Sequence, residues 1–146
     1  MDTQQPEPIK EPTIPKTEPS VEASEETPES KLTEALKEYP FVTYVNGKFN
    51  VVHPELTNYL TPKLLKVGDI VKRGAILASL NGGASNVDSE TLALNSFVAT
   101  VQVGYSDLPS TFNLLNVEDT NLVTGLYVAI RSYNDFFRKT PLGIVI

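Results

Sequence analysis

Leu64-Leu65-Lys66-Val67-Gly68-Asp69-Ile70-Val71-Lys72-Arg73-Gly74-Ala75-Ile76-Leu77-Ala78-Ser79-Leu80 is the stretch on which the fold class turns. Gly68-Asp69 and Arg73-Gly74 carry turn chemistry, and Ile70, Val71, Ile76 and Leu77 are good strand formers, so the stretch reads as two β-strands around a turn. Segments on either side point the same way. Phe41-Val42-Thr43-Tyr44-Val45 and Lys48-Phe49-Asn50-Val51-Val52 flank Asn46-Gly47, the dipeptide of a two-residue type I′ hairpin. Residues 96–103 alternate, with Phe97, Ala99, Val101 and Val103 on one face and Val98, Thr100 and Gln102 on the other, a half-buried antiparallel strand. Residues 111–117, 126–133 and 142–146 read as further strands, with turns at Glu118-Asp119-Thr120-Asn121 and Asn134-Asp135. Residues 54–60 read as one or two helical turns. The expected fold class is mainly β: a small antiparallel β-barrel or sandwich.

Working outward toward the first residue, composition changes sharply. Residues 1–40 hold seven of the eleven prolines and carry ten acidic against four basic residues, a net charge of −6. The remaining 106 residues carry eight of each sign. A disordered Pro/Glu-rich arm is expected over 1–27, because such a segment buries too little apolar surface to offset its ordering entropy. A short N-terminal helix and connector follow over 28–40. Thr27 caps, Pro28 fits the first helical position, Leu32, Ala35 and Leu36 share a face, and Pro40 stops the helix. This helix is too short to stand alone and must dock on the body or on another protein. The β-rich domain is expected over 41–146.

The chemistry available is sparse. With no Cys, disulfides and thiolate metal sites are excluded. The single His, His53, precedes Pro54 and has no second His or Cys with which to share a metal. Ser79, Ser96 and Ser132 therefore lack an evident base. Asp69, Asp88, Asp107, Glu118, Asp119 and Asp135 sit beside residues that favour turns, where acidic side chains serve structure. The Glu118-Asp119 pair beside Asn121 leaves open a hard-cation contact. A charge-balanced body argues against broad nucleic-acid binding, and no apolar run of spanning length or signal-peptide pattern is expected to place it in a membrane. The chain is expected not to be an enzyme and to need no cofactor.

Val67-Gly68-Asp69, Val71, Gly74, Leu77 and Ala78 resemble the run that builds one edge of the barrel-sandwich hybrid in biotinyl and lipoyl carrier domains. That family carries its prosthetic group on a Lys in a hairpin turn, usually within Met-Lys-Met. This chain has no Lys or Arg between residues 74 and 130 and no Met beyond Met1, so the resemblance implies a scaffold module without the carrier chemistry. In outline the chain also resembles the small head-decoration proteins of tailed bacteriophages, lambda-type, with a polar arm, a small β-rich body and an apolar final strand. That resemblance implies a structural virion protein on a phage head, a homo-oligomer with trimers as the family's form. Its partner would be the major capsid protein or another large protein assembly, with neither nucleic acid nor membrane involved. Candidate partner-binding residues are Ile9, Ile14 and Val21 in the arm, Leu32 and Leu36 on the helix, and Phe41, Tyr44 and Phe49 on the hairpin.

Overall fold

The computed structural model describes residues 27–82 and 87–138. The element order is α1 (Pro28–Ala35), β1 (Val42–Val45), β2 (Lys48–His53), β3 (Leu56–Leu60), α2 (Val67–Leu80), α3 (Ser89–Gly104), a 3-10 turn (Leu114–Asn116) and α4 (Thr120–Phe137). The chain is mixed α/β, with one three-stranded antiparallel sheet ordered β1-β2-β3 among the described residues. The expectation of a mainly β barrel or sandwich is thereby corrected, and with it the barrel-sandwich resemblance loses its structural basis.

The hairpin turn and the start of α1 match the sequence reading. Asn46 and Gly47 take φ values of +53° and +82°, the positive pair that a type I′ turn demands. Tyr44 faces Phe49 and Val42 faces Val51 across the hairpin. At α1, Thr27 Oγ1 accepts the Ser30 N–H at 3.2 Å and Pro28 opens the helix. The helix ends at Ala35, and Leu32 and Leu36 dock it on the body. Residues 56–60, read above as helical, pair instead with β2, His53 opposite Leu56 and Phe49 opposite Leu60.

The central corrections fall on three apolar runs. The deciding stretch, 64–80, is one helix over 67–80. Its less exposed positions, Ile70, Arg73, Ile76, Leu77 and Leu80, recur every three to four residues, a helical period rather than a period of two. Asp69 reaches back to accept the Lys66 N–H at 3.0 Å, closing the first turn, and that backbone N–H is the main reason its carboxyl lies below the usual carboxylate range. Residues 96–103, whose alternation reads as a half-buried strand, belong to α3. It lies between α2 and α4, and residues 98–101, 103 and 104 are all buried. A helix covered on two sides loses its single stripe. In α4 the buried residues Leu122, Leu126, Ala129 and Ile130 do follow helical spacing, and the acidic turn before it is a cap: Asp119 Oδ1 accepts the Asn121 N–H at 3.0 Å. The strand expected over 111–117 is a loop holding the 3-10 turn.

The layers run from the sheet to α1 and α4, then α3, then α2. Phe49, Val51 and Leu60 of the sheet meet Leu122, Leu126 and Ile130 in one core. Two glycines allow this closeness. A Cβ on Gly104 would lie 2.5 Å from Ile130 Cγ1, and one on Gly125 would lie 2.8 Å from Phe41 Cζ. Buried Tyr105 donates its hydroxyl to the Leu126 carbonyl at 2.6 Å, tying the end of α3 to α4.

Gly68 and Gly74 behave differently. Each has nothing within 4 Å of an added Cβ, and both lie inside α2. Helical glycine is disfavoured against alanine by about 0.8–1 kcal/mol. Gly68→Ala and Gly74→Ala are each expected to raise stability by about 0.5–1 kcal/mol, read as a shift of the urea midpoint at constant slope. Were the stretch a strand pair around a glycine turn, both substitutions would destabilise.

Candidate interaction surfaces

α2 supports the most conspicuous surface. It buries no residue fully and packs on α3 alone among the major elements. Two polar clamps hold it there. Arg73 Nε donates to Thr100 Oγ1 at 2.7 Å and its Nη2 donates to Ser96 Oγ at 2.8 Å, while Asn95 Nδ2 donates to Asn81 Oδ1 at 2.9 Å. The opposite side of the helix carries Val67, Val71, Ala75 and Ala78 on one stripe, and Val67 and Val71 are 80% and 67% exposed. Leu64, just before the helix, is exposed as well. The α2 stripe escaped the sequence reading because a strand pair would have turned Val67 and Val71 into core.

The residues singled out for partner binding fall in three places. Ile9, Ile14 and Val21 lie outside the described residues. Leu32, Leu36 and Phe49 are core, with Leu32 and Phe49 fully buried. Phe41 is half-buried against Gly125, Tyr39 and the His53 ring. Tyr44 is half-buried. It lines a cavity of about 310 Å³ with Leu36, Pro40, Val42 and Thr33, while its ring packs 5.8 Å from that of Phe137.

His53, Glu55 and Asp119 form a structural cluster. Buried His53 receives the Glu55 N–H on Nδ1 at 3.0 Å, so the proton sits on Nε2, which donates to Asp119 Oδ2 at 2.9 Å. Asp119 also caps α4. The Glu55 carboxylate accepts the N–H groups of Glu118 and Asp119 at 2.9 and 3.0 Å. The cluster latches the β2–β3 turn to the start of α4. Among the described residues no group of three or more His, Cys, Asp or Glu side chains is placed to hold a metal ion. No described helix is long and apolar enough to cross a membrane.

The His53 hydrogen bond and the Asn121 N–H lower the Asp119 carboxyl, as Thr91 lowers Asp88 and the Lys66 N–H lowers Asp69. A carboxyl lowered by folding contributes stability above its unfolded value and loses it as pH falls through the folded one. Thermal midpoints are therefore expected to fall steadily below about pH 4. Asp119→Asn is expected to flatten that decline by removing one of the three groups.

Comparison with family models, curated proteins and solved structures finds no match to this chain. The reading of function therefore rests on residues and geometry.

Proposed function

We propose that this chain is a non-catalytic attachment module that docks a charge-balanced body on a larger protein assembly through the aliphatic stripe of α2. The single observation that carries the reading is the exposure of Val67 and Val71 on a helix with no buried residue. A helix held on one side and aliphatic on the other suits packing against an apolar groove or a second helix. Burying both valines contributes about 3–5 kcal/mol before the cost of association. Acid–base or nucleophilic chemistry finds no comparable support, since His53, Glu55 and Asp119 are all engaged in holding the turn to α4.

A capsid is one such assembly, and decoration of a phage head is the finer form of the proposal. The resemblance behind it was to a β-rich body. The mixed fold leaves it supported by the composition of residues 1–40 alone.

The test is sedimentation of native extracts carrying wild-type chain or the double variant Val67→Glu/Val71→Glu. Wild type is expected in a fast-sedimenting fraction and the variant, at least tenfold depleted there, among free proteins. Its thermal midpoint should move by no more than about 3 °C, since both sites are exposed. Unchanged sedimentation of the variant would sink the proposal.

A further inference from the structure

The chain carries the same reactive dipeptide twice, as Asn46-Gly47 and as Asn81-Gly82. In each, the backbone nitrogen of the glycine can attack the side-chain carbonyl carbon of the asparagine. Glycine, with no side chain, obstructs that approach least. The fold treats the two copies differently. Asn81 caps the end of α2, and its N–H donates to the Leu77 carbonyl at 3.0 Å. Its Oδ1 accepts Asn95 Nδ2 at 2.9 Å, and the Gly82 N–H donates to the Ser79 carbonyl at 3.0 Å. Bringing the Gly82 nitrogen onto the Asn81 side chain therefore undoes the end of α2 and one of its clamps on α3 together.

Asn46 and Gly47 are exposed at the tip of the hairpin. The β1–β2 ladder ends at the Val45–Lys48 pair, so neither turn residue lends a backbone group to it. Among the described residues neither the Asn46 amide nor the Gly47 N–H has a hydrogen-bond partner. A Cβ added to Gly47 would meet nothing within 4 Å, so the space beside the peptide is open. Swinging the turn out of its resting conformation costs little more than the last ladder pair, the kind of local opening that the end of a hairpin undergoes.

We propose that Asn46 is a modification site: in the folded chain it converts, without an enzyme, to aspartate and isoaspartate, while Asn81 is spared. The Gly47 nitrogen bonds to Asn46 Cγ and closes a succinimide ring. The Cγ–Nδ2 bond breaks, and the proton of the attacking nitrogen leaves with the amide as ammonia. Water then adds at one ring carbonyl, and the C–N bond there breaks. Opening at the former backbone carbonyl leaves isoaspartate, whose main chain runs through Cβ. Opening at Cγ leaves aspartate. Either product places a negative charge beside exposed Lys48. Isoaspartate also lengthens a turn whose two residues fix the strand register. Phe49, fully buried, lies next to Lys48, so the loosened turn adjoins the core. This inference is independent of the docking role of α2.

The full chain, held for weeks at neutral pH and body temperature, is digested with trypsin and mapped by mass. Lys37 and Lys48 bound a peptide over 38–48 that holds Asn46, and Arg73 and Arg131 bound one over 74–131 that holds Asn81. The amide-to-acid mass gain is expected at Asn46 about fivefold or more faster than at Asn81, as two products of equal mass that separate by chromatography. In urea, with the fold removed, the two rates are expected to agree within about twofold. Equal rates in the folded chain, or the same bias in urea, overturn the proposal. Asn46→Gly suits the positive φ and has no amide to lose. The thermal midpoint of aged wild type is expected to fall in step with its isoaspartate content, while that of aged Asn46→Gly holds. A midpoint that falls equally in both, or that does not fall in modified wild type, also counts against it.

Discussion

Asn134→Ala is expected to lower stability by about 3 kcal/mol or more, read from the urea midpoint with far-UV and fluorescence probes together. Asn134 is 1% exposed, and every hydrogen-bonding position on its amide is used. Its Oδ1 accepts the Leu65 N–H at 2.8 Å and Arg138 Nη2 at 2.9 Å, and its Nδ2 donates to the carbonyls of Lys63 and Ile130 at 3.0 Å each. Arg138 Nη2 also donates to the Leu65 carbonyl. The connector between β3 and α2 thus takes much of its backbone pairing from one α4 side chain. Alanine leaves the Leu65 N–H and the Lys63 carbonyl short of a partner in a buried setting, each at about 1–3 kcal/mol. Asn134→Asp is not expected to rescue, because a carboxylate cannot donate to the two carbonyls. A loss below about 1 kcal/mol for the alanine variant would show that the connector is held chiefly by its other bonds, those of Lys63 to Gly104, Ser106 to Thr61 and Thr61 to Asp107 among them.

Phe49→Ala is expected to cost about 3–5 kcal/mol, the range for removing a buried ring from a core. Phe49 has no exposure, and the rings of Tyr44, Tyr105 and Tyr133 lie 5.2, 6.2 and 6.3 Å away. The variant separates two roles for the residue. If Phe49 served a partner, as the hairpin reading suggested, its truncation would weaken attachment and leave the thermal midpoint in place. The packing predicts the reverse. For a domain of this size a loss of that order moves the midpoint by well over 10 °C.

Both residues show where sequence reasoning succeeds and where it stops. The hairpin was legible because Asn46-Gly47 meets its requirement for positive φ within two residues. The start of α1 was legible because Thr27 and Pro28 act on the first turn directly. The caps of the later helices are equally local, but the segment after Asp88 reads as either a brief helix or a strand and Asp119 reads as a turn residue, since the same side chains serve both purposes. The surface site was the least legible part. Excluding thiolate ligands needed only the residue inventory, whereas finding the exposed stripe of α2 needed the knowledge that α2 is a helix.

From the chain alone came the features settled within a few residues: the hairpin turn, the first cap, the absence of thiol chemistry, and a charge carried by residues 1–40 over a balanced remainder. Tertiary structure decided the class of 64–80, 96–103 and 126–133. These apolar runs contain β-branched residues that suit either state, and intrinsic preferences of well under 1 kcal/mol per residue yield to packing. Once α4 lies on the sheet, with Gly104 and Gly125 allowing close approach, α3 must cover α4 and α2 must cover α3. Helices bury those runs with every backbone group paired internally, whereas added strands would have needed neighbours at both edges.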